Sequence, residues 1–139
     1  MTEDFRLDAF PLHSMDRIRY ADTDRQGHVN NAVFATFLET GRVALLYAPD
    51  APLAEPGSAF VIARLAIDFR AEIRWPGDVA IGTRVASVGR SSIRLEQGVF
   101  QDSLCVATGE SVIVLMDEQT RRSRPLPAAA IERLKALGG

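Results

Sequence analysis

Cysteine is nearly absent from this chain, neither sign of charge is in large excess, and no long apolar run occurs. Cys105 is the sole cysteine in 139 residues, so an intrachain disulfide is impossible and a reducing compartment fits best. The formal charge is −2, which gives no global basic field to draw the protein onto nucleic acid or an anionic membrane. No apolar stretch approaches the roughly 18 residues that cross a bilayer. The acidic start, MTEDFRLDAF, also lacks the apolar stretch of a signal peptide. No P-loop, dinucleotide-binding glycine pattern or zinc-ligand spacing appears, so no cofactor or metal is expected. What is present is ordinary globular composition, 47% hydrophobic and 24% charged, of a size that suits one domain over residues 1–139. The expectation is a cytoplasmic protein with neither nucleic acid nor membrane as a partner.

Periodicity divides the chain. A short first strand is expected over Met15–Tyr20, followed by a turn-rich loop, Ala21–Gly27. From Asn31 to Tyr47 apolar residues recur at helical spacing around nearly the whole circumference, which predicts a helix buried on most sides, capped by Asn30 or Asn31. After a Pro-rich loop the period becomes two. Val61, Ala63, Leu65, Ile67 and Phe69 should share one strand face, and Arg64, Asp68 and Arg70 the other. Trp75-Pro76-Gly77-Asp78 suits a turn. Three more strands carry Val79, Ile81, Thr83 and Val85; then Ile93, Leu95, Gln97 and Val99; then Cys105, Ala107, Ile113 and Leu115 on single faces, as an antiparallel meander. A tail helix should start near Pro127 and end by Gly138. The fold class is α+β, one antiparallel sheet wrapped around a helix, and its exposed edges favour pairing with a second copy.

The chemistry concentrates in Tyr20-Ala21-Asp22-Thr23-Asp24-Arg25-Gln26-Gly27-His28-Val29-Asn30-Asn31. Polar groups here precede a helix N-terminus, which exposes unpaired N–H donors and carries partial positive charge. A thioester carbonyl held there would be polarised, and an adjacent carboxylate would attack it or activate water. Asp24 lies nearest the turn that feeds the helix. The plainer alternative is that Asp22 and Asp24 make only turn hydrogen bonds. Calcium is excluded: the EF-hand-like opening from Asp22 places Val33 where a bidentate Glu is required.

The run YADTDRQGHVNNAVFATFLETGR resembles the signature of the 4-hydroxybenzoyl-CoA thioesterase-like branch of the hot-dog superfamily, and IDFRAEIRWPGDVAIGTRV, GRSSIRLEQGVF and VATGESVIVLMD resemble its later strands. The similarity covers about Arg17 to Asp117. It implies a hot-dog fold with a long central helix, assembled as a homodimer or as a homotetramer that is a dimer of dimers, with acyl-CoA as substrate. It implies Asp24 as nucleophile or general base, and the Asn31 N–H as the group that polarises the carbonyl. Some relatives carry His or Tyr at this position, where this chain has Asn31. Gly27 and Asn30 fall in the substrate-binding loop. The CoA nucleotide end would dock near Arg90, Ser91 and Ser92, among which Arg90 alone is a strong anion partner.

His28 either orients Asp24 or holds structure near the helix start. Glu39 and Arg42, three apart, suit an intrahelical ion pair, with Glu39 as a reserve carboxylate. Arg64, Asp68 and Arg70 suit a solvated or inter-subunit charged face, Arg121, Arg122 and Arg124 a solvated loop, and Cys105 a packing role. Hydrolysis of an acyl-CoA competes with two alternatives, an enoyl thioester hydratase or dehydratase and a non-catalytic acyl-CoA-binding module. Neither alternative explains the Asp24–Asn31 run as well.

Overall fold

The computed structural model describes residues 5–138. The chain builds strands β1 (Leu12–Arg17), β2 (Ser58–Phe69), β3 (Asp78–Val88), β4 (Ser92–Gln101) and β5 (Leu104–Asp117), and helices α1 (Asn31–Leu46) and α2 (Ala128–Ala136). The strands form one antiparallel sheet in the order β1-β3-β4-β5-β2, so β2 is an edge although it comes second in the chain. No helix is long and apolar enough to cross a membrane among the described residues.

The expected inward faces of β3 and β4 hold. Val79, Ile81, Thr83 and Val85 are buried with Ile93, Leu95, Gln97 and Val99 beneath α1. The helix follows β3 lengthwise. Its first half packs Phe34, Phe37 and Leu38 with Ile73, Val79, Ile81 and Val99. Its last turn packs Leu45 and Leu46 with Val85, Ile93, Leu115 and Leu134 of α2. Between these two apolar clusters lies a polar contact: Gln97 Nε2 donates to the Leu38 carbonyl and to Thr83 Oγ1, both at 3.0 Å. Gly41 lets the helix come this close, since a Cβ there would lie 2.6 Å from Gln97 Nε2 and 2.7 Å from Ile81 Cγ2.

Several expectations need correction. The first strand is Leu12–Arg17 rather than Met15–Tyr20, because Asp22 folds back on Arg19 and closes a 3-10 turn over Tyr20–Asp22. The helix spans 16 residues and buries one face rather than most sides; Ala32, Thr36, Glu39, Val43 and Ala44 are exposed. In β2 an extra residue, Ala63, sits between the Ile62–Ile113 and Arg64–Val112 pairs. This bulge puts Phe60 and Ile62, not Val61, on the face shared by Leu65, Ile67 and Phe69. In β5 a second bulge at Val106 turns Cys105 away from Ala107 and into a cluster with Phe10 and Phe100 on the outer face. Burial there pushes the Cys105 thiol pKa up. Glu39 and Arg42 form no ion pair. The tail helix, by contrast, falls where expected: α2 begins at Ala128 with Pro127 as its N-cap and ends at Ala136.

The close approach at Gly41 is testable by chemical denaturation. Gly41→Ala should lose about 1–3 kcal/mol through overpacking against Ile81 and Thr83, although Ala is favoured over Gly inside a helix by about 1 kcal/mol. Unchanged or higher stability would show that α1 does not need this contact.

Candidate active site

The segment between β1 and α1 closes on itself through its backbone. Asn30 N–H donates to the Asp22 carbonyl at 2.8 Å, Asp24 N–H to His28 O at 2.7 Å, and Gly27 N–H to Asp24 O at 3.1 Å. Gly27 has φ +83°, a left-handed conformation that favours glycine and completes the turn. Val29 N–H donates to Ile73 O at 2.9 Å, which pins the loop to the chain entering β3.

The two aspartates of this loop have separate roles in the geometry. Asp22 is 3% exposed; its Oδ2 accepts Arg19 N–H at 2.8 Å and its Oδ1 meets the Arg19 guanidinium at 2.8 Å. Burial pushes the Asp22 carboxyl up, but the hydrogen bonds and charge of Arg19 outweigh it and hold the pKa below the ordinary value. Asp24 is exposed. Its Oδ1 accepts the N–H groups of Gln26 at 2.9 Å and His28 at 3.2 Å, and no partner engages Oδ2 among the described residues. The expected turn bonds and a free carboxylate oxygen therefore coexist in one side chain.

At the start of α1 the Asn30 side chain accepts Ala32 N–H at 3.0 Å, so Asn30 is the cap, and its carbonyl accepts Val33 N–H at 2.9 Å. Asn31 is exposed, and its N–H has no partner among the described residues. His28 lies close to Asp24 through its backbone, but its ring Nε2 sits 3.1 Å from Glu72, which also binds Arg74 at 3.1 Å. Sequence reasoning missed Glu72 and Arg74. The signal that finds them is the bridge pairing His28 with Arg74, a tertiary contact. Tyr20 and Trp75, both exposed, stack edge to face at 5.1 Å beside this loop.

Arg90, Ser91 and Ser92 do not join Asp24 within one chain. Arg90 and Ser91 lie in the β3–β4 turn and Ser92 opens β4; Arg90 Nη1 reaches Ser91 Oγ at 3.5 Å. The Asp24 loop adjoins the opposite end of β3, about 30 Å away along the strand. No three His, Cys, Asp or Glu side chains gather to hold a metal ion among the described residues.

The model of the thioesterase-like superfamily matches residues 18–134. The chain belongs to that superfamily. It is 27% identical over 124 residues to the acyl-CoA thioester hydrolase YbgC of Escherichia coli O6:H1, covering 86% of this chain and 92% of that one. A thioesterase from Thermus thermophilus, solved with coenzyme A and Zn, is 37% identical with a TM-score of 0.80, covering 92% of this chain and 95% of that one. A protein from Pseudomonas aeruginosa PAO1 shares the fold at a TM-score of 0.87 and 23% identity, with 96% of each chain covered. The coarse architecture, a five-stranded antiparallel sheet with a helix, is thus that of known thioesterase structures.

The depressed Asp22 carboxyl makes a pH-dependent prediction. Its stabilisation is complete above the ordinary carboxylate range and is lost as pH falls through the lower folded value. Asp22→Ala should cost about 1–3 kcal/mol at pH 7. The gap from the parent, read by denaturant titration, should close as pH falls below about 4. A gap independent of pH would assign Asp22 a role unrelated to its charge.

Proposed function

We propose that the chain hydrolyses an acyl-CoA thioester to a carboxylic acid and free CoA, with Asp24 as the acting carboxylate. The observation that carries this reading is the pairing of two unused groups on one closed loop. Asp24 keeps Oδ2 free while Oδ1 is fixed by two N–H donors, and the Asn31 N–H stands open at the start of α1. A carbonyl oxygen on the Asn31 N–H would meet the positive end of the helix, where charge developing on oxygen is stabilised. Asp24 then either attacks the carbonyl carbon or takes a proton from water that does so. In the first route the Asp24 oxygen forms the C–O bond as the C–S bond breaks, and water then cleaves the mixed anhydride to free the acid and restore Asp24; in the second the water oxygen forms the C–O bond directly. In both, the leaving thiolate takes up a proton that the water gives up, so the products are the carboxylic acid and the CoA thiol. Gly27 and Asn30 shape the loop, and His28, held by Glu72, supplies the backbone N–H that orients Asp24.

The YbgC relative's name and the coenzyme A in the Thermus thermophilus thioesterase support CoA as the carrier. The Arg90–Ser92 turn would take the nucleotide phosphates, and the working unit is a homodimer or a dimer of dimers.

Release of free thiol from short, medium, long and aromatic acyl-CoAs tests the reaction. Asn at position 24 preserves the oxygen that accepts Gln26 and His28 N–H while removing the charge. Asp24→Asn should therefore stay folded and lose about a hundredfold or more in rate. A folded Asp24→Asn with parental turnover would remove Asp24 from the chemistry.

A further inference from the structure

The loop that carries Asp24 leans on a neighbour that belongs to no strand. Residues 70–77 run from β2 to β3 outside the sheet, so their backbone groups find partners elsewhere. At the start of this segment the N–H groups of Arg70 and Ala71 donate to Val106 O, and at its end Gly77 O accepts Ile18 N–H. In the middle a side chain does the work of a strand. Gln101, the last residue of β4, takes Arg74 N–H on Oε1 at 3.1 Å and donates from Nε2 to Arg74 O at 2.8 Å. One amide thereby supplies both the acceptor and the donor that a paired strand would offer.

From Arg74 the contacts lead to the site. Arg74 Nη2 donates to Glu72 Oε2 at 3.1 Å, and the same oxygen lies 3.1 Å from His28 Nε2. The backbones of His28 and Arg74 also meet as an antiparallel bridge. His28 is in turn bound twice to Asp24: its N–H donates to Asp24 Oδ1 at 3.2 Å, and its carbonyl accepts Asp24 N–H at 2.7 Å. The fold has little need of this route. The Glu72 and Arg74 side chains are 52% and 72% exposed, and exposed ion pairs add little to stability. The His28 bond to Asp24 is different, because 3.2 Å is the long end of the N–H···O range. A small drift of His28 breaks it and lets the carboxylate turn. Displacing a reacting group by about 1 Å can cost about a hundredfold in rate.

We propose that Gln101 and Glu72 are positioning residues of the hydrolytic site: through Arg74 they hold His28 where its N–H keeps Asp24 Oδ1 and leaves Oδ2 for the bound carbonyl. Neither residue touches the substrate. The effect on rate rests on the acyl-CoA reading, whereas the contacts themselves do not.

Kinetics and amide hydrogen exchange test the two parts separately. Glu72→Ala and Gln101→Leu should each lower kcat about tenfold and leave KM near the parent value, since they misplace Asp24 without removing a binding contact. Glu72→Gln keeps an oxygen for Arg74 and His28 and should recover most of that loss. Asp24→Asn retains the oxygen that accepts His28 N–H, so adding Glu72→Ala to it should lower the rate no further; groups that act through one another are not additive. A second loss of the same size in that background, or parental kcat in both single variants, overturns the proposal. The His28 amide should exchange about tenfold faster in Glu72→Ala and in Gln101→Leu, with the Ile81 amide of β3 unchanged. An unchanged His28 amide overturns the proposal, and so does equal loosening of both amides, which would mark lost stability instead of lost position. Glu72 is half exposed, so Glu72→Ala carries the test by itself if Gln101→Leu fails to fold. A parent that hydrolyses no acyl-CoA would sink the functional reading, and His28 exchange alone would then decide the contacts.

Discussion

The hydrogen bond from Asn30 N–H to the Asp22 carbonyl ties the start of α1 to the end of the Tyr20–Asp22 3-10 turn, and the placement of Asp24 depends on it. Asp22 is fixed by Arg19, Val29 by Ile73, and Gly27 supplies the positive φ that closes the bend between them. Within that frame Asp24 cannot swing freely, because two N–H groups hold one of its oxygens. Loops that carry chemistry on a rigid scaffold commonly work this way: backbone bonds set the position, and one group is left available.

The scaffold beneath is a helix laid along three buried strands. Two apolar clusters, one at each end of α1, are separated by the Gln97 contact to Leu38 and Thr83. The division keeps the site loop at one end and the β3–β4 turn at the other. It also leaves α1 with one face on the sheet and a second face, mixed in apolar and charged residues, toward solvent.

Much of this was legible in the sequence. The inward residues of β3 and β4 follow strict alternation, and Asn30 caps the helix as an Asn before an apolar run should. The fold class and the loop of interest followed from the same patterns. What was not legible has physical causes. The bulges at Ala63 and Val106 shift the face of half a strand by one extra residue, which no composition signals. The apolar circumference of α1 suggested burial all round, but a single chain covers only one face. Arg42 was expected to pair with Glu39 three residues away, yet no ion pair joins them, and Arg42 Nη1 is buried without a partner beside the groove that both residues line. Glu72 is beside His28 only because the chain entering β3 bridges back to the loop.

The central claim is a carbonyl held between the Asn31 N–H and the Asp24 carboxylate. A crystal structure of Asp24→Asn with an acyl-CoA bound tests it most directly. The account predicts the thioester oxygen about 3 Å from the Asn31 nitrogen, with the side chain at position 24 facing the carbonyl carbon. A thioester bound on the outer face of the sheet, in the groove lined by His13, Asp78 and Phe100, would contradict it.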